Sequence, residues 1–491
     1  MTTSVVLFVA ATSAGVGRGH LNRCIAISDA LQKTGMPTAL YDPGADGVTG
    51  VAGLLPVNLP FLSTQQEAEE FLAQADRSLV FLDDYRYRDG PPAIAGSENV
   101  RAVAMLDDFD ETPADVGLLF RLTRADSSES TGKAPLILAG EHLAPMRDAF
   151  FRARRLRKPD DTLLICLGAS PAGLDATRLL LESLERLGWT QPVNLAVSPG
   201  PNGPRLSEHS FPGLDLRIHS GLTDLSSLMA SADKAICSPS VTSYELATLG
   251  VPMLVVQIAD NQTRLAMHLE RTGAARRLRT ADLSSSELAT ELNDFLFSES
   301  DTGRFSGLRC DGLGARRIAR HLRGVIDNRP KADLRLEIAT MQDLQPLFRL
   351  QCLPEIRAHA RNPEPPSLEG HTNWFTAMHA DPARELFMMF VDEAMAGFVR
   401  IDRQFDGQGQ KPDQYEISIA VDPAFWGRGL ARQALNYLFD LLPDDVFIAH
   451  VLPDNGRSHS LFQATGFVWR DGRYERPPAV TDMKSGPEPV S

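Results

Sequence analysis

Short, continuously apolar runs alternate with amphipathic stretches along the first third of the chain. VVLFVAAT at 5–12, PTALYDP at 37–43, SLVFLDDY at 78–85 and VRAVAMLDD at 100–108 flank helix-like segments such as LNRCIAISDALQKTG at 21–35. Runs that are apolar at every position suit strands covered on both faces, and the helical segments between them make the sheet parallel. The same alternation restarts near residue 161 with DTLLICLGASPAG, VNLAVSPG, LDLRIHS, ADKAICSPS and VPMLVVQIADNQ. Two Rossmann-like units in tandem, 1–155 and 156–326, are therefore expected. Such sheets bind ligands at the carboxyl ends of their strands, so a cleft is expected between them. A charged, Pro-containing stretch, DNRPKADLR at 327–335, reads as a linker. Beyond it MFVDEAMAGFVRI and QYEISIAVDP predict antiparallel strands, with helices at 427–442 and 455–465, an α+β unit over 334–478. The Pro-, Ser- and Gly-rich tail at 479–491 is expected to be disordered. The fold class is α/β: two Rossmann-like domains followed by an α+β domain.

Composition narrows the function. The chain has 491 residues, 43% apolar and 23% charged, in keeping with several packed cores. Its 49 basic residues stand against 63 acidic ones, a net charge of −14 that disfavours wholesale binding to nucleic acid or anionic membrane. Cys24, Cys166, Cys237, Cys310 and Cys352 are widely spaced with no CxxC, which suggests neither a disulfide framework nor a structural zinc site. The N-terminal apolar run has no basic region before it and reads as a first buried strand. Nothing approaches the ~20 apolar residues of a membrane span, and a cytoplasmic location is expected. No metal cluster is visible, and the oligomeric state does not follow from these residues.

In the first unit the leading strand runs into AGVGRGHLNRC, with Gly15, Gly17 and Gly19 in the turn before a helix expected near Leu21. Glycines there let backbone amides approach a ligand, and a helix N-terminus favours a diphosphate. Gly19-His20-x-x-Arg23 adds an imidazole at the mouth of the cleft and a guanidinium one turn later. Such a His can take a proton from water, or merely cap the helix.

GVGRGHLNRC resembles the GxGHxxRC signature of the UDP-2,4-diacetamido-2,4,6-trideoxy-β-L-altropyranose hydrolases, the UDP-releasing enzymes of pseudaminic acid biosynthesis, whose fold is similar to the two-domain GT-B glycosyltransferases. The likeness continues through FLDDYRY at 81–87, MLDDFDETPADVGLLF at 105–120, LAGEHLAPMRDAF at 138–150, LLICLGAS at 163–170 and LMASADKAICSPSVTSYELATLGVPMLVVQIADNQ at 228–262. It implies that His20 activates water for attack at the anomeric carbon, expelling UDP. It implies that Gly17, Gly19 and Arg23 contact substrate, that Asp83 and Tyr85 lie against the sugar, and that Glu245 accepts hydrogen bonds from two ribose hydroxyls. Asn261 and Gln262 fit the family's substrate-end pair. Ser238-Pro239-Ser240 stands where the family has a Gly-rich turn, and the hydroxyls of Ser240, Thr242 and Ser243 are the substitute phosphate donors. Asp107-Asp108 matches a family feature read as structural.

In the last unit, YEISIAVDP followed by AFWGRGLARQALNYLFD resembles motif A of the GNAT-type N-acetyltransferases, with Gly427, Arg428, Gly429 and Ala431 at a helix start suited to the pyrophosphate of acetyl-CoA, the implied co-substrate. Trp426 stands where Arg or Gln is usual. DNGRSHSLFQATGF at 454–467 resembles the element that follows. The resemblance implies that Asn455 helps hold the pantetheine arm and that Ile419 and Val421 pair with it through their backbones. Glu416 is the candidate base for the amine. Phe462 occupies the position of the usual tyrosine acid. His371, with Trp374 and Phe375, is similar to a segment that shapes the acceptor site in sugar-nucleotide acetyltransferases. The two halves suit consecutive steps on one UDP-sugar. Two further readings stay open: a GT-B-like glycosyltransferase using a UDP-sugar fused to an acyltransferase, and a hydrolase regulated by an acetyl-CoA-sensing domain.

Overall fold

The structure is a computed structural model that describes residues 3–12, 19–44, 55–56, 58–87, 89–107, 115–123, 136–168, 170–197, 210–220, 222, 224–279, 287–297, 308–328, 334–381, 383–404 and 414–478. The chain divides into two compact units, Met1–Lys331 and Ala332–Ser491. Gly15, Gly17, Asp108 and the 479–491 tail lie outside the described residues.

The first unit holds two sheets. In chain order the first contains β1 (Ser4–Ala10), α1 (Gly19–Gln32), β2 (Thr38–Tyr41), β3 (Phe61–Leu62), α2 (Gln65–Ala73), β4 (Arg77–Asp83), β5 (Val100–Asp107), β6 (Leu118–Arg121) and β7 (Leu136–Ala139), after which α3 (Asp148–Arg155) leads away. Its strands are parallel, in the order β3-β2-β1-β4-β5-β6-β7. The second follows as β8 (Thr162–Cys166), α4 (Pro171–Arg186), β9 (Val193–Val197), β10 (Leu216–Ser220), α5 (Ser226–Ser231), β11 (Ala232–Cys237), α6 (Val241–Leu249), β12 (Met253–Gln257), α7 (Thr263–Arg271), β13 (Ala275–Arg279), α8 (Glu287–Phe297) and α9 (Gly314–Ile326). It is also parallel, ordered β10-β9-β8-β11-β12-β13. Each sheet turns back beside its first strand, which puts a topological switch at the carboxyl ends of β1 and β8.

Burial explains the strands. Val6, Leu7, Phe8 and Val9 are all fully buried, side chains alternating between two apolar layers. One of those layers runs on into the second sheet, joining Phe8 and Cys24 to Phe150, Met229 and Tyr244.

The last helix, α9, lies within the 156–326 unit expected from the sequence and packs against α1, β4 and β5 of the first sheet. Its start is pressed so close to the Glu141–Leu143 turn that a Cβ on Gly314 would lie 2.1 Å from the Ala144 carbonyl oxygen. Beside that contact the fully buried Arg317 donates to both Asp311 oxygens, at 2.7 and 2.6 Å, and to the His142 carbonyl at 2.9 Å.

The second unit contains β14 (Leu334–Ile338), α10 (Leu344–Gln351), α11 (Pro354–Arg357), α12 (Leu368–Ala380), β15 (Arg384–Val391), β16 (Ala394–Gln404), β17 (Gln414–Val421), α13 (Leu430–Leu441), β18 (Val446–Ala449), α14 (Gly456–Ala464), β19 (Val468–Arg470) and β20 (Arg473–Arg476). The sheet order is β14-β15-β16-β17-β18-β20-β19. Neighbours run antiparallel except β17 and β18, which are parallel. That pair joins only Gln414–Glu416 to Val446–Ile448, whereas β17 stays paired to β16 as far as Val421. The sheet therefore forks after Glu416.

Candidate functional site

In the first unit the site is built on the N-terminal ends of two helices. α1 begins at Gly19, two residues before the expected start, so His20 and Arg23 stand in its first turn. α6 begins at Val241, with Ser240 as N-cap, and a Cβ on Gly19 would lie 3.6 Å from the Val241 side chain. The two helix starts thus meet, and the positive ends of both dipoles converge where a diphosphate is best held.

His20 is buried against the end of β4. Its Nδ1 lies 2.7 Å from Asp83 Oδ1, and Arg23 donates from Nε to Asp83 Oδ2 at 2.9 Å and from Nη2 to Oδ1 at 2.5 Å. Arg23 Nη2 also lies 3.0 Å from His20 Nδ1, so the imidazole, the carboxylate and the guanidinium form one buried cluster. Asp83, expected against the sugar, is 1% exposed and gives both oxygens to His20 and Arg23; Arg23, expected on the substrate, is 4% exposed and braces Asp83. Tyr85 lies in a short 3-10 turn just beyond β4. The sequence reading also missed a neighbouring network. Thr12 donates twice to Asp42 Oδ2, and Arg86 bridges Asp42 Oδ1, at 2.7 Å, to Asp84. Its signal was an Asp directly after each of two strands.

On α6, the Ser240 hydroxyl accepts from Thr242 N at 3.3 Å, and Ser243 is fully buried, donating to the Ser240 carbonyl at 2.6 Å. Two of the three hydroxyls expected on phosphate are thus engaged in capping the helix. Gln262 likewise accepts from Ile258 N at 2.9 Å through its side chain, whereas Asn261 is exposed in the Asp260–Gln262 turn. Glu245 is 8% exposed; burial pushes its carboxyl up to about 7, with Arg147 pulling it down and Asp224 pushing it up. A carboxylate held half-ionised near neutrality is poised to gain from two hydroxyl donors.

In the second unit the fork exposes one edge of β17. The Trp426 indole N–H donates to the Val421 carbonyl at 2.8 Å, so Val421 directs its backbone toward the fork, and Ile419, two residues earlier, directs its own the same way. Val421, expected to pair with a ligand, thus has its carbonyl taken by Trp426. Gly427 and Gly429 have φ of 79° and 70°, where a side chain is strained, and no atom lies within 4 Å of a Cβ built on either. They lead into α13, whose first turn carries Ala431. An elongated thioester with a diphosphate fits this edge, turn and helix start.

Glu416 is the last residue of β17 paired with β18, and Arg361 forms an ion pair with it. Asp402 stands directly opposite Glu416 on β16, a neighbour the sequence did not reveal. Asn455 caps α14, accepting from Ser458 N at 3.1 Å. Phe462 is buried between Phe467 and Tyr474. His371, expected at the acceptor site, is instead a core residue, 1% exposed among Phe348, Trp374 and Phe375, with Nε2 3.1 Å from the Leu344 carbonyl. Burial holds its imidazole below the usual value.

Among the described residues no group of three or more His, Cys, Asp or Glu is arranged to hold a metal ion. No helix there is long and apolar enough to cross a membrane.

Comparison with known proteins matches residues 344–467 to the acetyltransferase (GNAT) family. A 57-residue stretch is 39% identical to the N-alpha-acetyltransferase RimI of Mycobacterium tuberculosis, covering 11% of this chain and 36% of that protein. A region of 163 residues is 29% identical to the UDP-N-acetylglucosamine–N-acetylmuramyl-(pentapeptide) pyrophosphoryl-undecaprenol N-acetylglucosamine transferase of Hahella chejuensis, covering 32% of this chain and 44% of that protein. Against the Solibacter usitatus counterpart the coverage is 48% of the relative, so the chain spans about half the length of these curated relatives. The crystal structure of Acinetobacter baumannii MurG aligns with 66% of this chain and 99% of its own at 16% identity, with a TM-score of 0.43.

Proposed function

We propose that this chain, a GT-B-like unit followed by a GNAT acetyltransferase domain, carries out two consecutive steps on one UDP-sugar. The GNAT domain acetylates the 4-amino group of a UDP-4-amino-4,6-dideoxy-N-acetyl-sugar. The first unit then hydrolyses UDP-2,4-diacetamido-2,4,6-trideoxy-β-L-altropyranose, a step of pseudaminic acid biosynthesis, and releases UDP. The observation that carries the hydrolytic reading is the buried His20–Asp83–Arg23 set at the meeting point of two helix starts.

In hydrolysis, Nε2 of His20 takes a proton from water, the oxygen bonds to the anomeric carbon, and the carbon–oxygen bond to UDP breaks. The two helix starts offset the charge gathering on the diphosphate. Glu245 receives the ribose hydroxyls. In acetyl transfer Glu416 takes a proton from the amine, whose nitrogen bonds to the thioester carbonyl carbon. The carbon–sulfur bond breaks, and the thiolate is protonated from solvent, Phe462 having no proton to give. Linking the two sites in one chain raises the concentration of the intermediate at the second.

Two expected results follow from the binding groups. UDP binding should strengthen about tenfold from pH 6 to pH 8, because Glu245 titrates near 7 and only the carboxylate accepts from both hydroxyls. Glu245→Gln should flatten that profile in calorimetry. Gly429→Val, at a φ of 70°, should cost ~1–2 kcal/mol of backbone strain and weaken acetyl-CoA binding roughly tenfold.

The similarity to glycosyltransferases favours a second reading, transfer of the sugar to an acceptor in place of water. Mass spectrometry of the protein with UDP-4-amino-4,6-dideoxy-N-acetyl-β-L-altrosamine, with and without acetyl-CoA, separates the two. Gain of one acetyl group followed by UDP release without an added acceptor supports the hydrolase. UDP release only with an acceptor present supports the transferase.

A further inference from the structure

Arg86 has no part in the chemistry assigned to the first unit, yet it stands where a ligand is expected. β2 and β4 flank β1 on its two sides, and Asp42 and Asp84 directly follow β2 and β4. Arg86 donates from Nε to both Asp84 oxygens, at 3.0 and 2.9 Å, and from Nη2 to Asp42 Oδ1 at 2.7 Å, so its guanidinium lies across the carboxyl end of β1. That end is the switch point of the sheet, where such folds hold their ligands. Both carboxylates are buried and spent on Arg86 and on the Thr12 and Gly44 amides, whereas the arginine side chain is 43% exposed. What the end of the strand presents is therefore a donor. Nη1 has no hydrogen-bond partner among the described residues, and it fills the space a side chain on Gly44 would need, a Cβ there falling 2.1 Å from it. Its hydrogen bonds to Asp84, opposed by burial, and then to Asp42 keep the guanidinium charged.

We propose that Arg86 sets the substrate specificity of the first unit, donating from Nη1 to the carbonyl oxygen of an acetamido group on the sugar and so admitting the acetylated sugar nucleotide while rejecting its 4-amino precursor. This rests on the hydrolase reading and extends it. α1 starts at the same end of the sheet, so a sugar whose diphosphate sits at that helix start and whose anomeric carbon faces His20 reaches the group that crosses β1. A guanidinium only donates. An acetamido carbonyl accepts from it, but a 4-amino group, protonated near neutrality, also only donates, and two donors brought face to face away from water are left without partners. Asp42 and Asp84 act through Arg86, as positioning residues that fix the guanidinium before the sugar arrives, so little freedom is lost on contact. The consequence is an order of steps: UDP is held until the amine has been acetylated, and the precursor that the acetyltransferase domain needs is spared.

The test is UDP release from the diacetamido sugar nucleotide and from its 4-amino precursor, without acetyl-CoA, by the full chain and by Arg86→Lys and Arg86→Gln, with calorimetry of UDP binding to each. The unaltered chain is expected to prefer the acetylated sugar by about a hundredfold or more in kcat/KM. Arg86→Lys keeps a charge between the two carboxylates but lacks the fork, and should lose about tenfold or more on the acetylated sugar alone. Arg86→Gln, whose carboxamide can also accept, should narrow the preference further, and UDP affinity should stay within twofold in both variants. A merely structural arginine would lower both substrates together. Equal rates on the two sugars in the unaltered chain, or a parallel loss on both in Arg86→Lys, overturns the proposal. A parallel loss accompanied by weaker UDP binding assigns the arginine to the diphosphate and overturns it as well. An unaltered chain that releases UDP from neither sugar overturns the hydrolase reading and this one with it.

Discussion

His20→Ala is expected to slow UDP release from the diacetamido sugar nucleotide by ~10² to 10⁴, the contribution of a positioned general base. The acetylated nucleotide sugar should then accumulate. Asp83→Asn should fall in the same range for a different reason. In the proposed mechanism the carboxylate 2.7 Å from Nδ1 accepts the proton of that nitrogen, which leaves Nε2 to act as the base. A carboxamide can turn its NH2 toward Nδ1, which moves the imidazole proton to Nε2 and removes the base without moving the ring. The same change removes the Asp83 charge from beside Arg23, which is 4% exposed. UDP affinity should stay within twofold in both variants, because Glu245, the proposed nucleotide contact, lies on α6, so the loss should lie in kcat. Rapid-quench measurement of UDP with calorimetry of UDP binding checks both. Full activity in Asp83→Asn would show that the orientation of His20 is not set by the carboxylate.

The largest expected loss of stability is Asp311→Ala. Arg317 is fully buried and its guanidinium is matched by both Asp311 oxygens, at 2.7 and 2.6 Å. Removing one member of such a pair strands a charge in the interior at a cost of about 3–5 kcal/mol. For a unit of this size that lowers the melting temperature by roughly 10 °C. Replacing both, as in Asp311→Ala with Arg317→Met, should recover much of the loss, because no charge is then left buried. The pair also sets an acid limit. Burial pushes the Asp311 carboxyl up, but Arg317 outweighs it and holds the folded value below the ordinary one. The contribution is therefore complete above the unfolded pKa of ~3.9 and lost as pH falls through the lower folded value. Thermal melts at pH 7 and in steps below pH 4 should show the unaltered chain losing stability over that interval and Asp311→Ala losing less.

What the chain reveals without its fold is what repeats or has a fixed local period. The buried strands β1, β4, β8 and β12 are legible because a strand covered on both faces must be apolar at every position. β3, β6 and β7 are not legible, being two to four residues long and carrying no period of their own. The helix start within two residues of Leu21 and the turn at Gly427–Gly429 follow from local chemistry, since glycine and a helix N-terminus act within a few residues. Long-range partnership is different. That Asp83 serves His20, sixty-three positions away, depends on β4 lying beside β1 in register with it. That α9 returns to α1 depends on Gly314 passing against the Ala144 carbonyl. That His371 packs in the core depends on which face of α12 meets α10. Arg457 reaching Trp426 joins the start of α14 to the turn that precedes α13, which no local pattern connects. Periodicity reports which side of an element is buried, whereas the identity of the group it is buried against is fixed when the elements pack and unpaired charges must find partners.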